Sequence, residues 1–128
     1  MIAVDTSALM AIVLDEPQAE ACIAALVTQD EIMVSAATVA EALIVAARRN
    51  VGAEMATLID GLGVTVVDVT PAVARRVAEA YGRWGKGLHP AGLNVGDCFA
   101  YDVATACGCA LLYVGEDFAG TDLRSALA

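Results

Sequence analysis

Basic side chains are scarce in this chain. Seven Lys and Arg and a single histidine, His89, face sixteen Asp and Glu, for a formal net charge of −9. Net charge therefore excludes any general attraction to a polyanion, because phosphate binding runs on positive charge. Only local patches could steer one, and the cations do cluster, at Arg48-Arg49, Arg75-Arg76, and Arg83 with Lys86. Long hydrophobic runs are also missing. Stretches such as Ala8 to Leu14 stop far short of the ~20 residues that span a bilayer. No basic segment leads into an apolar stretch with a cleavage site, so a soluble cytoplasmic protein is expected. The four cysteines, Cys22, Cys98, Cys107 and Cys109, form no CxxC pair and no zinc spacing. They read as reduced core thiols. With only His89 available, and that in a Gly/Pro loop, a Ser-His-Asp triad would hang on one loop residue.

What the chain has in abundance is small apolar side chain. It is 59% hydrophobic over 128 residues, enough for one folded unit to bury a substantial core. Short β-rich runs occur at Ile2–Val4, "EIMVS", "VTVVDVT" and "CALLYV". Between them lie helical segments: "SALMAIVLDEP", "QAEACIAALVTQ", "SAATVAEALIVAARRN", "AEMATLIDGLG", "PAVARRVAEAYGRWG" and "DCFAYDVATACG". Hydroxyl caps, Pro71 at a helix start and glycines at helix ends punctuate them. The strand runs are continuously apolar rather than alternating, as in a parallel sheet covered on both faces. The expected class is α/β: a short central parallel sheet of about four to five strands, flanked by helices, in a single domain over residues 1–128.

In such sheets sites form at the carboxyl ends of the strands, and acids fall there. Asp5 ends the first run, Asp68 lies in or at the end of the third, Asp97 opens a helix after a glycine-bearing loop, and Asp117 follows the last strand. Each also has a plain structural reading, as a helix cap or turn residue. Glu41 is harder to explain that way. It lies inside the most regular helix, and its neighbours three and four positions away are Ala37, Thr38, Ile44 and Val45, none of them basic. A helix this apolar all round is expected to be buried on most faces, where an unpaired carboxylate is costly. One shared divalent cation would satisfy Glu41 and the other acids together, and an all-oxygen set suits Mg²⁺ or Mn²⁺.

These residues resemble a known family. "VDTSAL", the helical "AEAL" around Glu41, "LNVGDCFAYDVA" around Asp97 and "LLYVGEDFAGTDL" look like the PIN-domain ribonucleases of the VapC type, toxins of type II toxin–antitoxin pairs. The matches spread over essentially the whole chain. The resemblance implies a PIN-like fold and an Mg²⁺- or Mn²⁺-dependent endoribonuclease in which metal-activated water cleaves RNA phosphodiester bonds. It implies that Asp5, Glu41, Asp97 and Asp117 are both catalytic and metal-holding, and that Ser7 supports the metal or its water. Many members carry a hydroxyl or Asn at the end of the last strand, where this chain has Val114-Gly115. That departure makes Asp122, beside Thr121, a rival for Asp117. Arg48, Arg49, Arg83 and Lys86 are candidates for RNA contacts. Trp84 and Tyr101 could stack on bases, although core packing is the simpler reading. A cognate antitoxin, a homodimer, and a heterotetramer or larger complex are further implications, with no membrane partner. Thr6 receives no role.

Two other readings compete. A phospho-receiver domain shares class and size, but it carries paired acids early and a lysine near the last strand. Here Asp5 has no acidic neighbour before Asp15, and Lys86 precedes "CALLYV". A catalytically silent PIN-like module that binds RNA or protein keeps the fold and drops the chemistry.

Overall fold

The structure is a computed structural model that describes residues 1–127. Four parallel strands, β1 (Ile2–Val4), β2 (Ile32–Ser35), β3 (Thr65–Val67) and β4 (Leu111–Leu112), form one sheet in the order β3-β2-β1-β4. Six helices accompany it: α1 (Thr6–Val13), α2 (Ala19–Val27), α3 (Ala36–Arg48), α4 (Gly52–Leu62), α5 (Pro71–Trp84) and α6 (Val95–Cys107). A short 3-10 turn covers Phe118–Gly120. The α/β parallel architecture is the expected one. Its last strand is shorter than "CALLYV" suggested, and Asp68 falls just beyond β3.

The continuous apolar strands arise because both faces of the sheet are buried. Ile2, Val4, Ile32, Val34 and Leu112 pack with α1 to α4. Ala3, Leu111 and Tyr113 face the other way, onto α5, α6 and Phe118. The twofold alternation along each strand thus feeds two cores rather than one core and solvent. α5 shows the opposite logic. Val73, Val77, Ala80 and Trp84 recur on one stripe and are buried, and the rest of the helix is open.

α3 departs from expectation. Only Thr38, Ala42 and Ala46 form a buried seam, while Leu43 and Ile44 are 38% and 61% exposed. Apolar composition implied burial on most faces. Instead, alanines every fourth residue give a narrow contact stripe, and the larger side chains look outward. Cys22 and Cys98 are buried, Cys107 and Cys109 half-buried, and all four are free thiols. Burial, with a smaller push from Asp97, raises the Cys98 thiol to about 11, which keeps it unreactive. No helix among the described residues is long and apolar enough to cross a membrane.

The connections decide where chemistry can sit. β1 passes directly into α1 through Asp5, and β2 into α3 through Ser35. The strand order reverses direction between β1 and β4. That switch point opens a crevice at the carboxyl edge of the sheet.

Candidate active site

Asp5 occupies the switch point. It is 3% exposed, and it caps α1 by accepting the Ser7 N–H at 3.0 Å. The capping reading therefore holds, but it does not exhaust the residue. Ser7 Oγ–H also donates to Asp5 Oδ2 at 2.7 Å, and both of these bonds fall on the same oxygen. Oδ1 is buried and has no hydrogen-bond partner among the described residues. Burial is the main cause that pushes the carboxyl above its ordinary value. The Ser7 donors oppose it, and the charge of Glu41 adds to it. A buried acceptor left open in this way is costly unless a cation or proton completes it.

Ser7 does more than hold Asp5. Its oxygen accepts the Val114 N–H at 3.0 Å, which ties the end of β4 to the start of α1 across 107 residues. The segment that carries Val114-Gly115 and leads to Asp117 is thus anchored through its backbone to the hydroxyl of Ser7 at the start of α1.

Glu41 lies in the second turn of α3, half-buried. It accepts a 2.6 Å hydrogen bond from Thr6 Oγ1, and its other oxygen lies against Gly96. Asp97 is the third residue of α6. The helix begins earlier than "DCFAYDVATACG" suggested, with Asn94 as its cap. Asn94 Oδ1 accepts the Asp97 N–H at 2.8 Å, and Asp97 Oδ2 accepts the Asn94 N–H at 3.0 Å. This reciprocal box pins the carboxylate in the first turn, where the helix dipole also favours negative charge.

Asp97 nonetheless holds its proton up to about pH 6. Burial is the largest cause, the Asn94 N–H opposes it, and the charges of Asp5, Asp117 and Glu41 all raise it further. Four carboxylates, from β1, α3, α6 and the segment after β4, therefore share one field. Asp117 is exposed at the entrance of the 3-10 turn. The structure does not bring Asp122 into this group. It accepts from Tyr101 Oη at 2.8 Å and lies 3.6 Å from Arg83. Asp68 falls just beyond β3, two strands away from β1.

The basic candidates separate as well. Arg83 lies over the Trp84 ring at 4.5 Å, and the Lys86 N–H donates to Leu93, four residues before Asp97. Arg48 and Arg49 sit at the far end of α3, roughly 10 Å along the helix from Glu41. Trp84 and Tyr101 are buried, at 8% and 7% exposed, so both rings serve packing. His89 Nδ1 accepts the Ala91 N–H, and its ring meets Trp84 edge-on at 4.7 Å, a structural use of the only imidazole.

One charged pair escaped the sequence reading. Asp102, 5% exposed, receives two bonds from Arg76, at 2.8 and 3.1 Å. The criterion that singled out Glu41 applies equally to Asp102: it sits mid-helix, with Cys98, Phe99, Thr105 and Ala106 as its local neighbours. Its partner comes from another helix, which local spacing does not reveal. Arg76 and Asp102 share a cleft of about 230 Å³ with Arg83 and Trp84. A larger cleft of about 380 Å³, between α1 and α4, is lined by Ile12, Val13, Ala53, Glu54, Thr57 and Leu58. Its walls are mainly apolar and hold one acid, so they offer no constellation for catalysis.

Among the described residues, no three Asp, Glu, His or Cys side chains stand close enough to enclose an ion unaided.

The chain matches the PIN domain family over residues 2–123. It is 41% identical over 125 residues to VapC ribonuclease Mb0640 of Mycobacterium bovis, covering 95% of each chain. It is 42% identical over 126 residues to ribonuclease VapC36 of Mycobacterium tuberculosis, covering 94% of this chain and 90% of that one. Among solved structures, it resembles Mycobacterium tuberculosis VapC20, described as a Sarcin-Ricin loop cleaving toxin. The TM-score is 0.78 at 17% identity, with 96% of each chain covered. A toxin–antitoxin complex from Klebsiella pneumoniae follows at TM-score 0.73 and 15% identity, covering 95% of this chain and 93% of that one.

Proposed function

Because the chain belongs to the PIN-domain family, among its VapC ribonucleases, we propose that it is a divalent-metal-dependent endoribonuclease, the toxin of a toxin–antitoxin pair. The observation that carries this reading is the common field of Asp5, Glu41, Asp97 and Asp117 at the carboxyl edge of the sheet. Among the described residues none of these four acids has an ion-pair partner, so they repel one another. The arrangement makes sense if a cation completes it. The open Asp5 Oδ1 and the raised proton affinity of Asp97, whose charge burial and the neighbouring acids disfavour, fit such an occupant.

Asp5 and Asp97, the two acids most firmly held by backbone, are the residues proposed to hold Mg²⁺ or Mn²⁺, with Glu41 and Asp117 completing the set. The bound ion supplies a water of lowered pKa and positive charge for the phosphodiester oxygens. Glu41, half-buried and hydrogen-bonded by Thr6, is proposed to accept a proton from the attacking water. Ser7 links Asp5 to the Val114 backbone, three residues before Asp117, and is proposed to support the site in that way. Lys86, whose N–H bonds Leu93 beside Asn94, and Arg83, near the end of α5, are proposed to meet RNA phosphates that the acids alone would repel.

The relatives' names support the toxin role, and the Klebsiella pneumoniae complex supports a cognate antitoxin as partner. Labelled RNA incubated with the purified chain tests the reading. Cleavage with Mg²⁺ or Mn²⁺, none with EDTA, and recovery on adding metal back are expected. Equal cleavage with and without EDTA refutes metal dependence.

A further inference from the structure

Thr6 and Gly96 belong to different helix starts, yet both meet the same carboxylate. Thr6 is 8% exposed, and its hydroxyl donates to Glu41 Oε1 at 2.6 Å across 35 residues of chain. Gly96 lies against the other end of that group. A Cβ there would collide with Glu41 Oε2 and stand 3.0 Å from Cδ. Gly96 has no left-handed backbone to explain it. What the position requires is space.

Glu41 needs such a device. No basic residue stands three or four positions from it on α3. Thr6 and Gly96 are the chain neighbours of Asp5 and Asp97, so Glu41 stands beside two further carboxylates, and like charges repel. Glutamate has three rotatable bonds and is half-exposed here. Left to itself, it would lower its energy by swinging into water, away from the other acids. A short hydroxyl donor on one oxygen and a notch for the other oppose that motion.

We infer that Thr6 and Gly96 are positioning residues that clamp the Glu41 carboxylate toward Asp5 and Asp97, Thr6 by its hydrogen bond and Gly96 by the side chain it lacks. This rests on the reading of the four acids as a metal-dependent site.

Isothermal titration of the full chain with Mn²⁺, without RNA, tests it, using Thr6→Val, Thr6→Ser, Glu41→Gln and the Thr6→Val/Glu41→Gln double variant. Circular dichroism melts verify that each is folded. Thr6→Val keeps the shape and loses the donor, so Mn²⁺ affinity should fall about 10- to 100-fold. Thr6→Ser, which keeps the hydroxyl, should restore most of it. Thr6→Val should add nothing to Glu41→Gln, because the clamp has no purpose once its target is gone. In RNA cleavage, Thr6→Val should lower kcat with little change in KM. Gly96→Ala should act in the same direction, and if it fails to fold the Thr6 series decides alone.

The inference is overturned if Thr6→Val binds Mn²⁺ as tightly as the parent, if Thr6→Ser is as weak as Thr6→Val, or if the two single losses add. If Glu41→Gln loses affinity and Thr6→Val does not, only the clamp fails. If Glu41→Gln also binds normally, the role of Glu41 in the proposed site fails with it.

Discussion

Ser7 stands between Asp5 and Val114: its hydroxyl donates to Asp5 Oδ2 at 2.7 Å and its oxygen accepts the Val114 N–H at 3.0 Å. One small side chain thereby fixes the buried acid of β1 and the backbone that follows β4. Replacing it with alanine leaves Val114 N–H without its acceptor and Asp5 with fewer donors. Ser7→Ala should cost about 1–3 kcal/mol of stability, read as a fall of several degrees in Tm. It should also weaken Mn²⁺ binding, and an unchanged melt and affinity contradicts the role given to Ser7.

Asp97 sets a pH signature for the metal-free chain. Its folded proton affinity is raised from 3.8 to about 6, chiefly by burial. Between those values the folded state binds more protons than the unfolded one, so stability should fall as pH rises through that window. At pH 7 Asp97→Asn should stabilise the metal-free protein by about 1 kcal/mol once solvent screening is allowed for. The same variant should bind Mn²⁺ poorly. Stability that does not change between pH 4 and pH 7 in the parent, by denaturant titration with EDTA, contradicts the electrostatics of the cluster.

Arg76 and Arg75 are neighbours in sequence with different tasks. Arg76 makes two bonds to the buried carboxylate of Asp102, whereas Arg75 is exposed on α5 and has no ion-pair partner among the described residues. Losing Arg76 strands a buried charge. Arg76→Ala should lower Tm clearly more than Arg75→Ala, and Asp102→Asn should relieve part of that loss. Equal melts for the two arginine variants contradict the pair's structural role.

Arg83 and Lys86 lie beside the loop that leads to Asp97, and Arg48 and Arg49 lie at the other end of α3. If the first pair meets RNA phosphates, Arg83→Ala/Lys86→Ala should raise KM several-fold. It should also flatten the salt dependence of RNA binding by about one counterion per contact removed. Arg48→Ala/Arg49→Ala should do less. The reverse ranking contradicts this placement.

Much of this was legible in the residues because parallel sheets leave a plain trace. Continuous apolar runs, the hydroxyl cap Ser35, and Pro71 at a helix start are local signals, and the structure uses each of them. Asp5, Glu41, Asp97 and Asp117 stood out because acids at strand ends or on apolar helices need a reason. What local spacing could not reveal was partnership between elements. Asp102 satisfied the criterion applied to Glu41 and proved to belong to an ion pair with Arg76. Asp122, the rival of Asp117, takes a hydrogen bond from Tyr101, 21 residues away, which its sequence neighbours did not reveal. Thr6 carried no signal, because its meaning lies in a bond that spans α1 and α3. Alanine-rich α3 misled on burial, because composition does not reveal which stripe of a helix meets its neighbours.

The most direct test is cleavage of labelled RNA in Mg²⁺ by folded Asp5→Asn, Glu41→Gln, Asp97→Asn, Asp117→Asn and Asp122→Asn, compared in one series with the parent chain. The four-acid site predicts that the first four lose at least about a hundredfold in rate, while Asp122→Asn stays within a few-fold. Parent-like cleavage by Asp5→Asn or Asp97→Asn, or a loss at Asp122 as deep as at Asp117, contradicts it.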